Sequence, residues 1–166
     1  MLTDLLDLIG SIITYNRDLV LIAIRQRAKF EGWLKFELAR QLKMDYYDTV
    51  VEYHLSNGQF VDLFSNGSLI ELKTPNTNYK APNVENKTRP ITNNIDGIIS
   101  DIKKLRALNN PGYIAFVMFP VDEEKCDMHI KRVEDELHKD LIQKKFVKIK
   151  DGNNYIKLLI FVARVK

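Results

Sequence analysis

Two Asn-Gly dipeptides, Asn57-Gly58 and Asn66-Gly67, constrain the fold of this chain more than any other feature. Both residue types tolerate the positive φ that tight two-residue hairpin turns demand, so Asn-Gly between β-rich runs is the strongest short-range hairpin signal. The flanking runs, from Thr49 to Leu55, Gln59 to Ser65 and Ser68 to Thr74, read as strands. Two successive turns then give a three-stranded antiparallel meander.

Register follows from counting outward. With a two-residue turn at Asn66-Gly67, Ser65 faces Ser68, Phe64 faces Leu69, Leu63 faces Ile70 and Asp62 faces Glu71. Side chains alternate along a strand, so one face carries Val61, Leu63, Ile70 and Leu72, and the other carries Phe60, Asp62, Phe64, Leu69, Glu71 and Lys73. The same count on Asn57-Gly58 sets Tyr53 opposite Asp62 and turns Glu52 and His54 to the other face. Two carboxylates with Cβ atoms about 5 Å apart, among aromatic neighbours, repel each other. A divalent cation removes that repulsion, and hard oxygen ligands at this separation suit Mg²⁺, with Mn²⁺ as a substitute. Mg²⁺ on Asp62 and Glu71, with the Leu72 carbonyl as a further ligand, would polarise a phosphoryl oxygen and acidify a bound water. Lys73 on the same face would orient that water or neutralise developing charge. The bland alternative is a structural hairpin whose Glu71 and Lys73 are solvated.

The rest of the chain frames the meander. Leu2, Leu5, Leu6, Ile9, Ile12 and Ile13 recur at helical spacing over residues 2–14, and a second helical stretch runs from about Asp18 to Lys43, with Phe30, Leu34, Leu38 and Leu42 as its stripe. The stretch from Pro75 to about Asn94, rich in Asn, Thr, Pro and Lys, reads as a long loop, which in a compact domain means function or mobility. Ile95, Ile98, Ile99, Ile102, Leu105 and Leu108 mark an amphipathic helix, and the apolar run from Tyr113 to Phe119 a strand buried on both faces. A charged helix from Asp122 to about Gln143 and a pair of strands, from Phe146 to Lys150 and Tyr155 to Val165, complete a single α/β domain.

Asp62, Glu71-Leu72-Lys73 and this element order resemble the PD-(D/E)XK, or restriction-endonuclease-like, nuclease superfamily. The resemblance covers about residues 28–120, as a core of helix, three-stranded meander, helix and strand, and leaves 1–27 and 121–166 as peripheral elements. It implies a Mg²⁺-dependent nuclease acting on DNA before RNA, of restriction, repair or recombination type, and a homodimer where both strands of a duplex are cut. It also implies a further metal-binding Glu on the helix before the meander. Glu37, on the stripe edge nearest Phe30 and Trp33, is the preferred candidate, and Glu31 on the other edge is the alternative. Val61 stands where many members carry Pro. The rival reading keeps the fold as a non-catalytic binding or structural subunit of a larger complex.

Several basic residues are candidates for phosphate contact: Lys80, Lys87 and Arg89 in the long loop, Lys103, Lys104 and Arg106 on the following helix, and Arg25, Arg27, Lys29 and Lys35 upstream. Asp101 and Lys104 are candidate braces for the site. The net charge of +3 is compatible with a polyanionic partner without demanding one. A single cysteine, Cys126, excludes an intrachain disulfide or a cysteine metal site and points to the cytoplasm, and His54, His129 and His138 lack metal-ligand spacing. Asp4 and Asp7 argue against a signal peptide, and the run from Leu19 to Ile24 is too short to span a membrane.

Overall fold

The computed structural model describes residues 2–46, 48–86, 91–137 and 141–165. Lys87, Arg89 and His138 lie outside these residues. In chain order the elements are α1 (Leu2–Tyr15), α2 (Arg17–Arg25), α3 (Glu31–Asp45), β1 (Val50–His54), β2 (Phe60–Ser65), β3 (Ser68–Lys73), α4 (Ile91–Arg106), β4 (Gly112–Met118), α5 (Glu123–Glu136), β5 (Ile142–Asp151) and β6 (Asn154–Val165). The six strands form one mixed sheet in the order β1-β2-β3-β4-β6-β5. β3 and β4, joined through α4, are parallel, and the other neighbours are antiparallel.

Alternation along the central strands explains the layering. Tyr113, Ala115 and Val117 of β4 point into one core with Ile156, Leu158, Ile160 and Val162 of β6, covered by α1, α2 and α3. Ile114, Phe116 and Met118 point into a second core with Leu159, Phe161, Ala163 and Val165, covered by α4 and α5. The chain is therefore a three-layer α/β/α sandwich, and apolar runs without polar alternation are what a strand buried on both faces requires. Among the described residues no helix is long and apolar enough to cross a membrane.

Three expectations change. The stretch from Asp18 to Lys43 is two helices. Arg27 takes φ 50° after α2, where Ala28 N–H donates to Ala23 O at 2.8 Å and Arg27 N–H to Ile24 O at 3.0 Å, a Schellman ending. The last helix stops at Glu136 instead of reaching Gln143, and β5 begins at Ile142, ahead of the expected Phe146.

The first hairpin is also one residue out of register. At Asn66-Gly67 both residues have positive φ (48° and 70°), Ser65 pairs with Ser68, and the Asp48 carboxylate accepts the Asn66 and Gly67 N–H groups at 2.9 and 3.2 Å. That is the two-residue turn expected. At Asn57-Gly58 only Gly58 has positive φ, Gly58 N–H donates to Leu55 O at 3.0 Å, and the Asn57 side chain accepts Gln59 N–H at 3.0 Å. The loop is thus a three-residue turn with a bulge. Tyr53 consequently pairs with Val61, and Glu52 falls across from Asp62.

Candidate active site

The site forms where β2 parts from β3. Their ladder runs through Ser65↔Ser68, Phe64↔Leu69 and Leu63↔Ile70 and then stops. Asp62 Oδ2 accepts the Leu72 N–H at 2.9 Å, so a side chain takes the place of a strand carbonyl. Face alternation breaks at the same point: Leu63 packs in the core under α1–α3, whereas Val61 packs with the core under α4. The expected grouping of Val61 with Leu63, Ile70 and Leu72 therefore fails at Val61. Opposite, Glu52 has φ 53°, a strained value for a residue with a Cβ. The two strands part here, and side chains of α3 and α4 reach in, Lys35 to Asp62, Asp101 to Lys73 and Lys104 to Glu71.

Glu71, which is buried, and Lys73, which is half-buried, lie two residues apart on β3 and both reach this break. Lys73 Nζ lies 4.0 Å from Asp62 Oδ2, 3.8 Å from Glu31 Oε1 and 3.1 Å from Asp101 Oδ2. Glu71 Oε1 contacts the Lys104 ammonium, which also donates to Phe60 O at 2.8 Å. Lys35 Nζ lies 2.9 Å from Glu52 and 3.6 Å from Asp62. Asp101 and Lys104, three residues apart on α4, thus brace Lys73 and Glu71. The expected acidic pair comes to one place, and each acid is held by a lysine.

Glu31, rather than Glu37, is the acid that α3 brings to this place. Phe30 N–H donates to Thr74 Oγ1 and Thr74 N–H donates to Glu31 Oε2, both at 3.2 Å, which clamps the start of α3 onto the end of β3. Glu37 lies six residues further along α3, about 9 Å up its axis at 1.5 Å per residue. There it pairs with Arg40 at 2.9 Å. The edges of an apolar stripe indicate the side of a helix and say nothing of distance along it.

The electrostatics follow from burial. The Glu71 side chain is 4 % exposed. Burial raises its pKa, the Lys104 ammonium opposes that rise, and the charges of Asp62 and Asp101 reinforce it, so the carboxyl is pushed up to about 7. Glu31 is raised as well, by burial first and by Asp62, against Lys73 and the Thr74 N–H. Burial would depress Lys73, yet Glu31, Asp101 and Asp62 outweigh it and hold the ammonium above its ordinary value. Lys35 is raised likewise, with Glu52 and Asp62 overcoming burial. Lys73 therefore stays charged at neutral pH and suits charge stabilisation, not proton abstraction.

The ion pairs form two neighbouring groups, Glu31, Glu52, Asp62 and Asp101 with Lys35 and Lys73, and Glu71 with Lys104; with every group ionised the formal balance is −2. One divalent cation would cancel it. Glu71 Oε1 and Asp101 Oδ2 are buried atoms held by ion pairs and not by aligned hydrogen bonds. Among the described residues, no three acidic, histidine or cysteine side chains are grouped so as to hold a metal ion, and Glu71 is engaged by Lys104.

The other basic candidates divide. Arg25 pairs with Asp151, and Arg106 with Glu136 at 2.6 Å. Arg27, expected to face a nucleic acid, is buried, and its guanidinium donates to the carbonyls of Thr77, Glu85 and Tyr79, the last at 2.8 Å. Lys29, Lys80 and Lys103 are exposed. The register count discounted Glu52, and only the bulge in the first hairpin brings it near the site. No family model, curated protein or solved structure matches this chain.

Proposed function

We propose that this chain is a Mg²⁺-dependent nuclease with a restriction-endonuclease-like core, hydrolysing phosphodiester bonds of nucleic acid, DNA before RNA. The observation that carries the reading is the meeting of Asp62, Glu71, Lys73 and Glu31 at one break in the sheet, with Lys73 Nζ 4.0 Å from Asp62 and 3.8 Å from Glu31. The order α3, β1-β2-β3, α4, β4 agrees with such a core, and the formal charge of −2 agrees with a divalent ion.

Asp62, Glu71 and Glu31 would hold the cation, with the Leu72 carbonyl as a further oxygen. When bound, Mg²⁺ or Mn²⁺ would supply Lewis acidity toward a phosphoryl oxygen and a water of lowered pKa. Lys73 keeps its proton and places a positive charge where the pentavalent phosphorus gathers negative charge. Asp101 holds the Lys73 ammonium at 3.1 Å and so orients it. Lys104, once off Glu71, offers an ammonium to a substrate phosphate.

Thermal melting with and without the metal tests the cation. A ligand at a hundredfold excess over its Kd stabilises by about 2.7 kcal/mol, which shifts Tm by several degrees in a chain of this size. We expect that shift with Mg²⁺ and Mn²⁺, and its loss in Asp62→Asn. Cleavage of supercoiled plasmid tests the chemistry, and Lys73→Ala should slow it about 10²- to 10³-fold. The pairing of each acid with a lysine favours one rival, a nuclease-fold binding subunit that does not cut. Plasmid and single-stranded DNA and RNA all left intact at every Mg²⁺ and Mn²⁺ concentration, with nucleic acid still bound, would establish that rival.

A further inference from the structure

We infer that Phe60 is a stacking platform for an unpaired nucleobase next to the scissile phosphate, so that the substrate is single-stranded or locally unpaired. The inference rests on the nuclease reading above and names its substrate class. Phe60 is 50 % exposed, although it lies in a strand and only two residues from Asp62. Its ring is not loose. It packs on His54 with centroids 3.9 Å apart and planes tilted by 55°, and its backbone carbonyl accepts from Lys104 Nζ at 2.8 Å. The same ammonium contacts Glu71. A supported aromatic ring, the Lys104 ammonium and the acidic cluster thus meet at one short piece of β2.

The chemistry of this grouping selects its occupant. Single-strand recognition combines a cation for the phosphate with an aromatic face for the base, and stacking contributes about 1–3 kcal/mol per base. Bases inside a duplex have both faces covered by their neighbours, so a ring at the protein surface reaches only bases that are unpaired, splayed out or terminal. Phe60 also lies on the hairpin that carries the edge strand β1, where a strand of nucleic acid can lie without threading through the fold. An ordinary core aromatic would be covered on its outer face, and this one is not.

The test is fluorescence anisotropy with a labelled 12-nucleotide single strand, as DNA and as RNA, and with the blunt DNA duplex of the same sequence. Ca²⁺ replaces Mg²⁺ so that binding is read without cleavage. Phe60→Ala should weaken single-strand binding about 5- to 150-fold, the equivalent of 1–3 kcal/mol. It should change duplex binding less than about twofold. Phe60→Leu keeps the apolar bulk and should lose the affinity, whereas Phe60→Trp should keep it. The DNA and RNA arms show which backbone is taken. Unchanged single-strand affinity in Phe60→Ala and Phe60→Leu, equal losses on duplex and single strand, or a change of oligomeric state in place of affinity would each overturn the platform. Cleavage in Mg²⁺ separates the two readings. Cutting that needs Lys73 alongside Phe60-independent binding sinks the platform alone, and Phe60-dependent binding without any cutting sinks the nuclease alone.

Discussion

Glu71 shows how much chemistry a single buried carboxylate brings. Its folded-state pKa of about 7 lies above the ordinary 4.5, because burial and the neighbouring Asp62 and Asp101 outweigh Lys104. The folded protein therefore binds this proton more tightly than the unfolded chain does. The stability it contributes is fully present below about pH 4.5 and is lost as pH rises through about 7. For a group this buried the loss is on the order of 3 kcal/mol. Urea unfolding of Glu71→Gln should show that part of the pH dependence flattened, with the variant gaining on the wild type from pH 5 to pH 8. On the proposed reading a cation competes with the same proton, so Mg²⁺ should raise Tm more at pH 8 than at pH 6. A second residue-scale prediction separates the two glutamates of α3. Glu31→Gln should slow plasmid cleavage at least about tenfold, while Glu37→Gln, whose partner is Arg40, should leave the rate within about twofold. Equal effects would mean that the clamp of Thr74 on Glu31 has nothing to do with the chemistry.

At the scale of elements, Arg27 explains why the sequence pattern reads as one helix where two exist. A helix end usually carries Gly at the left-handed position, and no Gly or Pro marks residues 26–30. Arg occupies that strained position because its side chain is needed there, holding three carbonyls of the 77–85 loop. Arg27→Gly should relieve about 1 kcal/mol of backbone strain yet lose charged hydrogen bonds worth about 1.5–3 kcal/mol each. The net result should be a destabilisation of at least about 2 kcal/mol by urea titration, with new proteolytic cuts between Thr77 and Glu85. A variant as stable as the wild type would refute the anchoring. The meander was legible because Asn-Gly turns are local chemistry, and the pairings Ser65↔Ser68 to Leu63↔Ile70 follow from the second one. The first escaped by one residue because the Asn57 side chain captures Gln59 N–H, a choice between two-residue and three-residue loops that flanking strands do not encode. The site was legible in the same degree. Asp62, Glu71 and Lys73 lie on the counted hairpin, whereas Glu31, Glu52 and Lys35 depend on docking of α3 and on the bulge.

The whole molecule depends on a strand that a nuclease-core reading leaves outside. β4 lies between β3 and β6 and pairs with β6 from Gly112↔Val165 to Met118↔Leu159. Phe116 stacks on Phe161 with centroids 4.6 Å apart, and α1 packs against β6 and β5. The unbroken apolar run of β4 reads in the sequence as a strand buried on both faces, and the structure shows β6 to be a second one, but hydrophobicity has no direction within a sheet and does not say which strand lies beside which. β6, within the stretch expected to be peripheral, is accordingly central to the sheet. Ile156, Leu158, Leu159, Ile160, Phe161 and Val162 are all fully or almost fully buried. At about 1.5–3 kcal/mol for each large apolar side chain, their combined burial is comparable with the whole stability of an ordinary domain, about 5–15 kcal/mol. A fragment of residues 28–120 would keep every acid and lysine of the candidate site and still expose the whole β4 edge that β6 covers, together with the apolar surface that α1, α2 and α5 shield. It should therefore aggregate or lack a cooperative melting transition, and it should neither bind Mg²⁺ nor cut nucleic acid, while the full chain melts in one transition. A soluble 28–120 fragment with a sharp melt would show that the helix-meander-helix-strand unit carries its own core and that β6 is an addition to it.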